Sequence, residues 1–91
     1  MTATVRIPTP LRNLTGGQST VDAEGSTVTE VLKAVDATHP GIGERVFDDA
    51  GEIRRFVNVF VEDEDVRHAD GQNTTVPEGA TVSIIPAVAG G

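Results

Sequence analysis

Apolar positions recur along this chain at two periods, and the change from one to the other marks out its elements. Val5-Arg6-Ile7, ahead of Pro8, reads as a first strand. Asn13-Leu14-Thr15-Gly16-Gly17 follows as a turn, and Ser19-Thr20-Val21 opens a return strand, so the N-terminal part is a hairpin. The period then lengthens. Thr27 with Glu30 three residues on has the form of a capping box, and Val28, Val31, Leu32 and Val35 fall on one face at helical spacing. His39-Pro40-Gly41 ends that helix, because proline has no N–H to donate and disfavours helix in the residue before it.

Gly43 to Glu52 is acidic and turn-rich, with Val46 and Phe47 as anchors onto the core. Arg55-Phe56-Val57-Asn58-Val59-Phe60-Val61 returns to period two in β-branched and aromatic residues. Its alternation puts Val57, Val59 and Val61 on one face, toward the helix, and Phe56, Asn58 and Phe60 on the other. Glu62-Asp63-Glu64-Asp65 is a solvated hairpin turn leading to a short strand at Val66-Arg67-His68. Val76-Pro77-Glu78-Gly79 then turns the chain into a last strand, with Val82 and Ile84 facing the helix and Ile85 facing out, until Pro86 ends the ladder. The order strand, strand, helix, strand, short strand, strand predicts an α+β fold of the β-grasp type. One main helix crosses a mixed sheet, with a domain over residues 1–86 and a tail over 87–91.

Size and composition narrow the function. A domain of 91 residues buries only about two thirds of its unfolded surface, which favours binding or carrying over a deep catalytic cleft. Met1-Thr2-Ala3-Thr4-Val5-Arg6 has no basic segment followed by an apolar run, and no stretch is long and apolar enough to span a bilayer, so a cytoplasmic protein without a membrane partner is expected. With no cysteine, neither a disulfide nor a thiol nucleophile is possible. A net charge of −7 disfavours nucleic acid and favours a protein partner with a basic face. Glu62, Asp63, Glu64 and Asp65 are the first candidate contacts, and Glu44, Asp48 and Asp49 the second.

Three tempting motifs fail on spacing. Gly16-Gly17 lacks the Gly-Lys-Ser/Thr and the helix of a phosphate loop. The run Glu62 to Asp65 is not a calcium loop, because Arg67 stands where a third ligand belongs and no glycine follows. His39 and His68 are isolated, and no metal site is expected. What remains is an outward apolar patch of Phe56, Phe60 and Ile85, which a small domain cannot cover itself, and the ending Pro86-Ala87-Val88-Ala89-Gly90-Gly91. A Gly-Gly end without side chains can thread a narrow tunnel and present its carboxylate to another protein's active site.

Over nearly its full length the chain resembles the ubiquitin-like sulfur carriers, the group containing the small subunit of molybdopterin synthase and the thiamine-pathway carrier. Arg55 to Val61 with Glu62-Asp63-Glu64-Asp65-Val66-Arg67, and Ile84-Ile85-Pro86-Ala87-Val88-Ala89-Gly90-Gly91, look most like the branch that serves cysteine biosynthesis in actinobacteria. The resemblance implies a ubiquitin-like β-grasp carrier, a substrate rather than an enzyme. An activating enzyme of the ubiquitin-activating class would join the Gly91 carboxylate to AMP, and a sulfur donor would displace AMP to leave a thiocarboxylate. Val88, Ala89 and Gly90 would lie in the partner's active site, while Phe56, Phe60 and Ile85 dock it. A pyridoxal-phosphate-dependent cysteine synthase would supply an aminoacrylate for the sulfur to attack, and a metalloprotease would free the cysteine. ATP and pyridoxal phosphate would belong to the partners, and the chain itself would bind no cofactor and be a monomer when free. The same tail also permits a molybdopterin-synthase subunit, which often has a second proline where Ala87 stands, or a modifier joined to protein lysines.

Overall fold

The first strand already shows the rule that organises the rest. In a computed structural model, which describes residues 2–86, β1 (Thr2–Arg6) buries Ala3 and Val5 and turns Thr2, Thr4 and Arg6 away from the core. β2 (Thr20–Glu24) pairs with it antiparallel, and Ala23 is its buried residue. β5 (Thr81–Pro86) lies along the other side of β1 in parallel, from Thr4↔Thr81 to Arg6↔Ser83. β3 (Val57–Val61) runs antiparallel to β5, and β4 (Glu64–Asp65) closes the edge, giving a five-stranded mixed sheet in the order β2-β1-β5-β3-β4. First and last strands are neighbours at the centre, with the helix across one face: the β-grasp arrangement that the element order predicts.

The helix α1 (Val28–Thr38) supplies the second layer. Val28, Val31, Leu32 and Val35 have essentially no solvent exposure, and Val5, Val59, Val82 and Ile84 meet them from the sheet in one continuous core. Thr27 is the N-cap, its hydroxyl accepting the Glu30 N–H at 3.3 Å. The returning half of the box differs from expectation. Glu30 accepts the N–H and hydroxyl of Ser26, at 2.9 and 3.0 Å, one residue earlier than a standard box requires. The start of α1 is also tied to the loop before β5, by Val28 N–H to the Thr74 carbonyl at 3.1 Å and Val76 N–H to the Ser26 carbonyl at 2.9 Å.

Four local elements depart from the sequence expectation. The turn placed at Asn13 to Gly17 is the end of a 3-10 turn over Thr9–Thr15, whose chain reverses at Gly16 with φ of +66°. It buries Leu11, so the connection contributes to the core. Within the segment taken as turns, α2 (Ile42–Val46) forms and buries Ile42 and Val46, while Phe47 packs half-buried beside them. Asp36 makes this possible, its carboxylate accepting the N–H groups of Gly41 at 3.2 Å and Gly43 at 2.8 Å. The short strand is Glu64–Asp65, and Val66–His68 is a 3-10 turn instead, because the Asp65 carboxylate accepts the Arg67 N–H at 2.9 Å and bends the chain. Finally β3 begins at Val57, and Arg55-Phe56 form the turn that precedes it.

Two expected outcomes test this packing. A Cβ on Gly25 would stand 2.7 Å from the Val31 backbone nitrogen and 2.9 Å from the Glu30 carbonyl carbon, against a helix backbone that cannot yield. Gly25→Ala should therefore cost about 1–3 kcal/mol, read as a lower urea midpoint at unchanged m. The Ser26 donors hold the Glu30 carboxyl below its ordinary value of 4.5. A pKa lower in the folded state means stabilisation that is complete above the unfolded value and lost as pH falls through the folded one. The stability difference between wild type and Glu30→Gln should accordingly stay constant down to the ordinary value of 4.5 and shrink below it, in denaturant titrations over a pH series.

Candidate functional site

β5 carries the chain from the core to the tail, and its two sides end differently. On one side the ladder to β3 runs to the last described residue, Pro86, opposite Val57. On the other side the ladder to β1 stops at Arg6↔Ser83. Two register steps further, Ile85 would meet Pro8, which has no N–H to donate. The β1 ladder ends there, while β3 continues to pair with β5 as far as Pro86. Val88, Ala89, Gly90 and Gly91, assigned to the reactive tail, lie outside the described residues.

The three apolar residues assigned to docking are placed in two ways. Ile85 is 48% exposed on the sheet face opposite α1, across from Asn58. Phe60, half-buried on that face, sits opposite Ser83 and diagonal to Ile85, within reach of a long side chain. Phe56 is 72% exposed, but strand alternation does not direct it. It belongs to the turn Arg54–Val57, closed by the Val57 N–H on the Arg54 carbonyl at 3.0 Å, immediately before β3.

Arg67 holds that turn. Its guanidinium donates to Asn58 Oδ1 at 2.7 Å and to the carbonyls of Arg54, Arg55 and Val57 at 3.2, 3.0 and 2.9 Å. One planar fork thus satisfies the carbonyls around Phe56 and fixes the polar residue between the strand phenylalanine and the turn. The sequence carries a signal for this contact. Val61↔Glu64 and Phe60↔Asp65 are paired, and continuing that register sets Arg67 opposite Asn58. The signal is hidden because Val66–His68 curls into a 3-10 turn, which a strand assignment does not anticipate.

The acidic residues sort by position and by task. Glu62, Asp63 and Glu64 are exposed on the hairpin that joins β3 to β4, where Glu62 takes the left-handed conformation at φ +56°. This hairpin lies at the other end of β3 from the Val57↔Pro86 pair, about 14 Å away at the rise of an antiparallel strand. Asp65 and Asp48 are occupied in their own turns, Asp48 accepting the N–H groups of Ala50 and Glu52 at 2.9 and 3.0 Å. Glu44 and Asp49 remain exposed. Among the described residues no cluster of three His, Cys, Asp or Glu side chains could hold a metal, and no helix is long and apolar enough to cross a membrane.

Known proteins share both this sequence and this arrangement. Residues 5–91 match the model of the ThiS family. The sulfur carrier protein CysO of Mycobacterium tuberculosis is 48% identical over 93 residues, covering all of both chains. A chain of the crystal structure of the Amycolatopsis orientalis BexX/CysO complex superposes with a TM-score of 0.93 at 47% identity, over 98% of this chain and 99% of that one. The crystal structure of M. tuberculosis CysO gives 0.89 at 46% identity, over 94% and 99%.

Replacing Arg67 should expose how far the Phe56 turn depends on it. Arg67→Gln and Arg67→Lys should each lower stability by about 1–2 kcal/mol, since neither side chain spans four acceptors. Amide exchange at Val57 should accelerate in both. Full rescue by lysine would mean that charge alone, rather than the fork, secures the turn.

Proposed function

The chain belongs to the ThiS family, and from that premise we propose that it is a sulfur carrier whose Gly91 carboxylate is activated and loaded with sulfur for cysteine biosynthesis. The observation that carries this is the identity of 48% with a sulfur carrier protein over the whole of both chains. The geometry agrees with a carrier rather than a catalyst. β5 is clamped at the centre of the sheet, so a pull on the tail is taken up by the ladders of β1 and β3 instead of by a loop.

The chemistry follows from what a carboxylate lacks. Gly91 is a poor electrophile until its oxygen attacks the α-phosphorus of ATP, expelling pyrophosphate and forming a mixed anhydride. A hydrosulfide equivalent then adds to the acyl carbon and AMP leaves, giving a thiocarboxylate whose sulfur is the better nucleophile near neutral pH. Adenylation belongs to a partner of the ubiquitin-activating class. Sulfur transfer to an acceptor belongs to a pyridoxal-phosphate cysteine synthase, and release of the product to a metalloprotease. This chain brings the reacting carboxylate and the faces by which those enzymes hold it, with Ile85, Phe60 and the Phe56 turn as the apolar contact and Val88 to Gly90 as the threaded segment.

Mass spectrometry of the protein isolated with its native partners is the direct test. A thiocarboxylate and a cysteine adduct at Gly91 support the proposal. A thiocarboxylate with no cysteine adduct would move the sulfur to another acceptor, and conjugates to lysine would make the chain a modifier. The tail can be tested separately. Among the described residues the packed core runs from Ala3 to Ile84, so Gly90→Val and deletion of Gly91 should leave the melting temperature unchanged. ATP–pyrophosphate exchange should fall by about a hundredfold, because a β-branched side chain stiffens and widens the segment and a missing residue withdraws the carboxylate from reach.

A further inference from the structure

The groove beside the root of the tail has a charge opposite to that of the rest of the protein. It opens where β1 and β5 part, has a volume of about 460 Å³, and is lined by Arg6, Pro8, Arg12, Thr20, Ser83 and Ile85 among others, with no carboxylate in its lining. Three other concave regions among the described residues all include acids: Asp36, Glu44, Asp48 and Asp49 in one, Asp48 and Glu52 in the next, Asp22 and Glu24 in the third. On a chain of net charge −7 this is an exception.

The two arginines are differently held. Arg12 is half-buried, its Nε donating to the Ile7 carbonyl at 3.1 Å, so its guanidinium is fixed against the groove floor. Arg6 is exposed on the outer face of β1, between the hydroxyl residues Thr20 and Ser83 on the flanking strands. Among the described residues no side chain hydrogen-bonds or ion-pairs with Arg6. A guanidinium with its fork free, flanked by hydroxyls and backed by a second guanidinium, suits a carboxylate.

We infer that this groove receives a carboxylate-bearing segment at the rim of the tail channel of the adenylating enzyme. The inference rests on the carrier function proposed above. Ile85 and Pro86 line the same groove, so a protein that swallows the tail must pass over it. The acids that attract a basic partner surface are at the far end of β3, on the Glu62 to Glu64 hairpin. Negative at one end and positive at the other, the face can meet a complementary partner in one orientation only, because the reverse sets like charges together. Orientation matters for a tail that must enter a channel head first.

The test uses the full chain, ATP and an adenylating enzyme that gives ATP–pyrophosphate exchange with the wild type. Arg6→Gln should raise the KM for the carrier about tenfold at low salt, and Arg6→Glu more, with kcat and the melting temperature unchanged. The gap from wild type should narrow as salt rises. Arg45→Gln removes the same charge from a different groove and should leave KM as it is. An unaltered KM in both Arg6 variants overturns the groove, as does an equal rise in Arg45→Gln, which would make net charge the cause. If the wild type supports no exchange with any such enzyme, the carrier function fails and this contact with it.

Discussion

The parallel pairing of β1 with β5 is the contact on which the rest of the molecule depends. It joins the two ends of the chain, Thr4 with Thr81 and Arg6 with Ser83, at the centre of the sheet. Loop closure over such a separation costs entropy that the pairing alone does not recover, so the strands must also deliver side chains to a common core. They do: Val5, Val82 and Ile84 stack under the apolar stripe of α1, all nearly without exposure. β3 then pairs with the free side of β5, and β2 with the free side of β1. Remove the central pair and neither outer hairpin has a surface to bury.

That same pair decides where the tail leaves. Because β5 is an interior strand, its end leaves from the middle of the sheet, with one neighbour still alongside. β3 continues alongside to Pro86 while β1 has already turned away at Pro8. The asymmetry produces an apolar face with Ile85 and Phe60 on one side and an arginine-lined groove on the other, both meeting at the point where the tail begins. A carrier has no catalytic groups of its own to preorganise. What it can preorganise is the point from which its tail departs, and β5, paired with β1 to Ser83 and with β3 to Pro86, does so with little entropy left to lose at that point on docking.

Arg67 extends that order to Phe56, among the described residues the one exposed large apolar side chain outside the strands. An exposed phenylalanine on a free turn would lose conformational entropy on binding, whereas the guanidinium that gathers the carbonyls of Arg54, Arg55 and Val57 has already fixed the turn's backbone. Asp36 and Asp65 act similarly at smaller scale, each using a carboxylate to satisfy backbone donors and set the direction of the following segment. The charged residues of this protein therefore divide between those that shape turns and those that face outward.

The sequence by itself determined the periodic elements and the end of the chain. Val28, Val31, Leu32 and Val35 specify a helix face, Val57, Val59 and Val61 a buried strand face, and Val82 with Ile84 their counterpart, because side-chain burial at period 3.6 or 2 is a local property. The resemblance of the strand, hairpin and Gly-Gly tail to a carrier family was legible for the same reason, being carried by contiguous residues. Only the tertiary structure decided the features made by residues far apart in the chain. α2 forms because Asp36, from the preceding helix, accepts the backbone N–H groups at its start, although five residues that include Gly43 and follow Gly41 have little helical tendency of their own. Phe56 leaves the strand pattern because Arg67 pulls its backbone into a turn. The groove exists because Pro8 fails to continue a ladder whose partner strand lies more than seventy residues on. Hydrogen bonds and charge across such distances have no period in the sequence, so they are decided only when the core has brought the strands together.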